Sequence, residues 1–509
     1  MKILHLGALL ILAAPLHQAQ GERGREWPFG ADRAAGLAGR GRDLYNLGLL
    51  GAKAWDADRP EPRSSGGGTF QLDPDERFRD DGPERLRVEI LSPGGPAQEA
   101  GLQIGDVIVG VGSKSFGKGS FEPLARAMSK AAAGSGKGEI SLRVEREGEK
   151  GTSKVTVRVP VLGKAAGKPT GDAGRRLHGE RALAWLAERQ LEEGGFPETL
   201  SGQSGAVVQT SIAGLAWIAG GSDLEQGPHA ENLRRALPFV KAFLAAPSGF
   251  GDRGGAGANW DQTNWGFVHA AIFLGELHEH SPTDELRAAL QSCADAIGER
   301  QEESGGWAHG PGGPNALGYV ELNIMTGLAL SGLGLARRAG CEVDPEVVER
   351  AVDYIDRSSS GGGVGYSMRP GQVGQGNIGR SAATWLGYVN LGLGKGSKGK
   401  QLAGYVANHV ADPQGGHASL MQHVFLAGVA AAALGGKADK EFWKAMERDL
   451  VLALAPDGSL QPRPWHETTA TGSNSDVSVG EVWTTACWAV VLLAEPNKDG
   501  GGLPAWCGR

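Results

Sequence analysis

The chain has 509 residues and a formal charge of −7, with both signs interspersed and no basic patch, a balance that excludes nucleic acid as a partner. Its length suits two or three domains with sizeable cores. Its four cysteines, Cys293, Cys341, Cys487 and Cys507, never form a C-x-x-C pair, which excludes a disulfide scaffold and a zinc ribbon. One bridge stays open, with partners the sequence does not assign; Cys293 and Cys487 lie in apolar helical runs and read as core.

Met1-Lys2 followed by the apolar run 3–16 reads as a secretory signal peptide over 1–21, cleaved near Ala19 to Gly21. The run is shorter than the roughly 18 apolar residues a membrane span needs. The alternative is a retained anchor. No later segment approaches that length, so the reading is an exported protein, periplasmic or extracellular of bacterial type, with no membrane span after cleavage. Residues 22–43, rich in Arg and Gly, read as a flexible lead-in.

From residue 44 the text changes. Tyr45-Asn46-Leu47-Gly48-Leu49 is a short apolar-Gly loop, followed by a polar Pro/Gly/Ser-rich insertion over 59–84. Alternating runs at 86–92, 139–145 and 154–160 predict strands, and 121–133 predicts an amphipathic helix. Gly101 and Gly105 supply tight turns ahead of a buried strand at 107–111, and Asp106 caps a local turn.

The run SPGGPAQEAGLQIGDVIVGV (92–111) resembles the bacterial, circularly permuted PDZ domain of exported serine proteases, close to S-P-A-x-x-A-G-L-x-x-G-D-x-I-x-x-V. The resemblance implies a small α+β domain over 44–163, a five- to six-stranded partly open barrel with a helix. It also implies capture of a protein C-terminus or extended peptide, its carboxylate held by the loop Tyr45, Asn46, Leu47, Gly48 and Leu49. Phe121, Leu124, Ala125 and Met128 would line the opposite wall, although some of these side chains can equally pack the small core. Residues 164–175 read as a Gly/Lys/Pro linker.

From 176 to 496 the period is helical. Gly-rich turns recur at Phe196, Phe250, Trp307, Tyr366, His417 and Leu460, spaced by 54, 57, 59, 51 and 43 residues, room for two helices and two loops each. The second helices, about 210–219, 265–278, 320–339, 378–393, 418–434 and 479–493, are rich in Ala, Gly and Leu. Six hairpins that cannot bury their apolar faces alone predict an all-α (α/α)6 toroid with these helices inside. Residues 497–509 read as a tail.

The Q-x-x-x-G-G-aromatic turns, such as Gln301 to Trp307, resemble the repeats of terpenoid cyclases and the prenyltransferase-like toroid, where they tie hairpins together. The order of segments resembles a bacterial exported family joining a signal peptide, a PDZ domain and a squalene-cyclase-like toroid. The chemistries of that fold lack their residues here: 176–496 holds no D-x-D-D acid, no transferable Asp/Cys/His zinc set and no C-G-E-Q thioester stretch. No cofactor and no metal site are expected.

What remains is a set of polar and aromatic residues near the starts of the inner helices. Trp260, Asn264, Trp265, Asn323, Arg380, His417, Gln422, Trp465 and Trp483 are the candidate pocket. His423, His466, Asp261, Glu321 and Glu481 are the candidate acid/base groups. Any one of them also reads as a helix cap. The favoured function is a binding or scaffold protein, its PDZ groove taking a peptide and its toroid offering a concave surface to a glycan or small molecule. The alternative is an enzyme, a hydrolase or lyase on a glycan or peptide, or an isoprenoid cyclase, using the same cavity.

Overall fold

The computed structural model describes residues 44–58, 81–196, 202–247, 262–311, 320–413, 419–461, 476, 479–495 and 504–507. They divide into two compact units. The first holds the described residues up to Gly167 together with Val451–Pro456, and the second holds the rest.

The first unit is a sheet of β1 (Tyr45–Asn46), β2 (Ala52–Asp56), β3 (Leu86–Leu91), β4 (Val107–Val111), β5 (Lys114–Ser115), β6 (Glu139–Glu145) and β7 (Ser153–Arg158). The order is β1-β2-β3-β4-β6-β7, with β5 paired to β4, and every pairing is antiparallel. The described sheet therefore has one strand more than the upper expectation, because β1 and β5 are two-residue pieces that alternation cannot reveal. Inward residues follow the strand period: Leu86, Val88 and Ile90 on β3, Ile140, Leu142 and Val144 on β6. Helix α1 (Pro96–Glu99) and the amphipathic α2 (Phe121–Ala132) complete the PDZ fold.

Gly101 and Gly105 turn with φ of 80° and 93°, as the sequence requires. Asp106 does more than cap its turn. It accepts from the Gln103 amide at 2.8 Å and from both Nε and Nη2 of Arg146 at 2.7 Å. That bidentate pair pins the α1–β4 turn to the end of β6.

The second unit alternates outer and inner helices. The outer members are α3 (Asp172–Arg189), α5 (Ala230–Ala245), α7 (Asp284–Glu299), α9 (Pro345–Ser358), α11 (Ser397–His409) and α13 (Gly436–Ala453). The inner members are α4 (Gly202–Ala219), α6 (Thr263–His280), α8 (Asn323–Arg338), α10 (Ile378–Asn390), α12 (Leu420–Leu434) and α14 (Glu481–Leu493). Each inner helix packs on the next, and α14 packs back on α4, which closes an α/α toroid. Small residues permit the close approach: a Cβ on Gly327 of α8 would lie 2.6 Å from the Thr384 amide nitrogen of α10. Local signals start the helices. Thr283, Asp344, Asn377 and Ser419 each accept an amide of the first turn of α7, α9, α10 and α12.

The recurrent turns are fasteners. Gln301 Nε2 donates to the Gly305 carbonyl at 2.9 Å and to Val347 of the next outer helix at 2.8 Å. Gln190 does the same with Gly194 and Asn232. The glycine that follows has a left-handed φ and sits on an outer-helix carbonyl. A Cβ at Gly194 would lie 1.8 Å from Arg235 O, and one at Gly305 2.3 Å from Arg350 O. The last such turn, at Gly458, lies against Arg181 of the first outer helix, and the Trp185 indole donates to Asp457 at 2.9 Å.

Three expectations change. The expected linker 164–175 is already helical from Asp172, and α4 starts at Gly202 rather than near 210. The expected tail is partly docked. Its short 3-10 turn Ala505–Cys507 packs on α6, α10 and α12, with Trp506 fully buried. The Trp506 amide donates to Glu276 at 2.9 Å, and its carbonyl accepts from Asn390 at 2.6 Å. All four cysteines are free and buried.

Candidate functional site

Two places qualify, one in each unit. In the first, the expected peptide-binding residues do come together, but they form no open groove. Tyr45, Asn46, Leu47, Leu49, Phe121, Leu124 and Met128 are all buried. The two walls meet: the Tyr45 and Phe121 rings stand edge to face at 5.1 Å. Gly48, at φ 55°, has no room for a side chain, since a Cβ would lie 2.6 Å from the Val451 carbonyl oxygen and 2.8 Å from Met128 Sδ. Strand β2 is also occupied on both edges at Lys53 and Ala54, by β1 and β3. An incoming strand has no free ladder there. The loop that would hold a carboxylate is covered by this unit's own main chain.

The second place is a cavity of about 130 Å³ among the N-terminal halves of the inner helices. Its aromatic wall is Trp265, Trp483 and Tyr366, and its apolar wall includes Val208, Leu322, Ile324 and Val479. The polar groups on it are His269, His309, Arg380, Ser419, Gln422 and His423. No carboxylate occurs among the described lining residues.

The geometry of this wall is specified by hydrogen bonds. The Trp265 indole donates to His309 Nδ1 at 2.8 Å. One helical turn on, His269 Nδ1 lies 2.8 Å from the Trp265 carbonyl. Burial pushes His269 down to about 4, so the ring is neutral at pH 7. Since a carbonyl only accepts, Nδ1 carries the proton and Nε2 is a bare acceptor. Trp483 stands edge-on to His269 at 6.0 Å, held by its indole donating to Asp476 at 3.0 Å. Asp476 also accepts the Ser419 hydroxyl and, at 2.9 Å, the Met421 amide. It is thus the anchor of both Trp483 and the start of α12, and its burial pushes its carboxyl upward. Arg380 donates to the carbonyls of Val364 and Gln375 and lies 5.7 Å from the Tyr366 ring centroid.

Of the residues singled out in the sequence, Trp265, Arg380, Gln422, His423 and Trp483 line this cavity. Asn264 and Asn323 do not. They are buried fasteners, donating to the carbonyls of Ala308 at 3.0 Å and Gly365 at 2.9 Å in the next turn. Glu321 and Glu481 are not on the wall either. The backbone carbonyl of Glu321 accepts from Tyr354 at 3.0 Å. Trp260, Asp261, His417, Trp465 and His466 lie outside the described residues. Sequence reasoning missed His269, His309, Ser419 and Asp476, and read Tyr366 as a fastener only. The i, i+4 pair Trp265/His269 on an apolar helix was the available signal.

Comparison with known proteins agrees with this division. A PDZ-domain family matches residues 87–146. The family described as a domain of unknown function, DUF6288, matches residues 224–492, more than half of the chain. The chain belongs to the DUF6288 family. The DUF6288 match contains most of the inner ring and all the cavity residues except Gly205 and Val208. No curated protein matches. Among solved structures, the chain is similar to unsaturated glucuronyl hydrolase from Bacillus sp. GL1, at 14% identity, covering 77% of this chain and 100% of that one, with a TM-score of 0.32. The type II terpene cyclase MstE from Scytonema matches at 15% identity, 63% and 97% coverage and a TM-score of 0.37. Hormoconis resinae glucoamylase matches at 12% identity, 65% and 74% coverage and a TM-score of 0.39.

Proposed function

We propose that the protein acts by binding, with two sites of different kinds. The helical ring of the DUF6288 region holds a small ligand in its cavity, and the PDZ unit takes a protein C-terminus or extended peptide in an opened form, in which the Tyr45–Leu49 segment parts from α2 and β1 frees the edge of β2. The observation that carries the reading is the cavity wall: Trp265 and Trp483 against His269, whose neutral imidazole is positioned by hydrogen bonding, with Tyr366 on the same lining. Aromatic faces with a few placed polar groups are what small-molecule sites are made of. At His269 binding is favoured over turnover, because burial pushes this imidazole down to about 4 and makes it a poor general base near neutral pH. The described wall also offers no carboxylate to act beside it. Export, resting on the apolar run at 3–16, belongs to the same proposal.

The test is calorimetric titration of the full chain with a panel of small ring compounds and glycans, with products followed in parallel. Saturable binding without product formation, weakened at least about 10-fold in Trp483→Ala, is expected. Turnover, or no binding by any compound, overturns the reading. For the PDZ unit, peptides with a free C-terminal carboxylate should bind in the micromolar range, roughly −8 kcal/mol. Their amidated forms should bind more weakly. No binding above background overturns that half.

A further inference from the structure

We propose that the ring cavity selects a ligand carrying an O–H or N–H donor on a compact ring, the donor pairing with His269 Nε2 and the ring lying against the neighbouring tryptophans. The proposal rests on the cavity reading above and names its ligand class.

The argument begins at a buried polar atom. His269 is 1% exposed, and among the described residues its Nε2 has no hydrogen-bond partner. A buried acceptor left unpaired is costly, so it is paired by something that enters the cavity. The character of the entering group follows from the tautomer. Nδ1 is fixed as the donor by the Trp265 carbonyl at 2.8 Å, which leaves Nε2 a lone pair and no proton. Only a donor satisfies it, so a carboxylate, an ether or a ketone cannot.

The surroundings set the rest. Trp483 stands edge-on to the imidazole with ring centroids 6.0 Å apart, and Trp265 lies over it at 6.2 Å. Both rings face the cavity and give the ligand body a flat apolar partner. A cavity of about 130 Å³ is near the size, roughly 150 Å³, that holds a single benzene ring in an engineered protein core. The ligand chemistry is thus one six-membered ring bearing a hydroxyl or amine. A phenolic ring and a pyranose sugar both answer it, and the experiment separates them.

The test titrates the full chain with phenol, benzene, cyclohexanol, cyclohexane and glucose, reading tryptophan fluorescence and the 15N shift of His269 Nε2. Phenol should bind about 10-fold or more tighter than benzene, and cyclohexanol than cyclohexane, the difference one hydrogen bond to an otherwise unpaired buried acceptor makes. The Nε2 shift should move with the alcohols alone. Glucose outbinding phenol assigns the site to carbohydrate, and the reverse order assigns it to an aromatic alcohol; either outcome supports the donor rule. His269→Gln, whose amide oxygen can stand where Nε2 stood, should keep the preference, and His269→Asn should lose it. If both variants misfold, the wild-type comparison of phenol with benzene still decides. Equal binding of alcohols and hydrocarbons overturns the donor proposal while leaving the cavity reading intact. No binding by any probe defeats both.

Discussion

The two units solve the problem of keeping a site in opposite ways. In the PDZ unit the wall of the groove is a loop and a helix that touch, Tyr45 on Phe121 and Gly48 against Met128, with the Val451 carbonyl also over Gly48. In the ring, the starts of α6 and α8 are tied to the next turn by backbone-directed bonds, Asn264 to Ala308 and Asn323 to Gly365. Such a wall cannot collapse inward without breaking these ties. A site held by helix ends keeps its volume; a site held by a loop and one flexible methionine can open or shut. The peptide site is therefore where conformational change is expected, and the ring cavity is where preorganisation is expected.

The contrast can be broken first at the fasteners. Gly305→Ala forces a Cβ to within 2.3 Å of the Arg350 carbonyl, at φ 97°. It should cost roughly 4 kcal/mol or more, read as a drop in urea midpoint. A loss under 1 kcal/mol would mean the turns are not what holds the ring. Trp506→Ala removes a fully buried indole from between α6, α10 and α12 and should cost about 3 to 5 kcal/mol. An unchanged Tm would show that the tail is not docked in solution.

Acid offers a third lever. Burial pushes both His178 and His269 down from 6.5 to about 4. Between those values the unfolded chain binds more protons than the folded one, so stability is complete above pH 6.5 and is lost as pH falls toward 4. The loss is roughly 3 kcal/mol per imidazole. Buried Asp439 and Asp476, whose carboxyls are pushed up, act with the opposite sign. The comparison of wild type with His178→Asn therefore carries the test: the variant's stability should fall less steeply from pH 6.5 to 4, and parallel curves would refute it. At the small end, Gln301→Ala frees two carbonyls and should cost about 1 to 2 kcal/mol. Arg126→Ala breaks an exposed helical pair with Glu122 and should cost about 0.5 kcal/mol or less.

What could be read from the sequence follows from where each signal is stored. The PDZ match is local: Gly101, Gly105 and Asp106 define their turns within a few residues, so the motif carries its own geometry. The ring was legible because Gln190 and Gln301, each followed by a glycine pair and an aromatic, repeat one device at a readable spacing. Asn264 and Asn323 were misread as pocket residues because their partners are backbone carbonyls some 40 residues on, and an inner-helix asparagine looks the same whether it faces a ligand or a neighbour. His269 was passed over for the converse reason. It sits in an apolar helix between Val268 and Ala270, and only the position of the Trp265 carbonyl and of Trp483 from α14 makes its far nitrogen an acceptor. Closure of the PDZ groove was invisible because Val451 lies about 400 residues from Gly48.

One feature of the ring bears on how the protein is made. The first inner helix, α4, has the last one, α14, as its neighbour, and the turn at Gly458 seats on the outer helix that begins the ring. Trp506, near the end of the chain, sits beneath helices laid down long before it. Emergence of the early hairpins from the ribosome therefore leaves α4 with one flank bare until α14 has followed them out. A chain cut off before α14 would present an open arc of helices, a ready substrate for proteases.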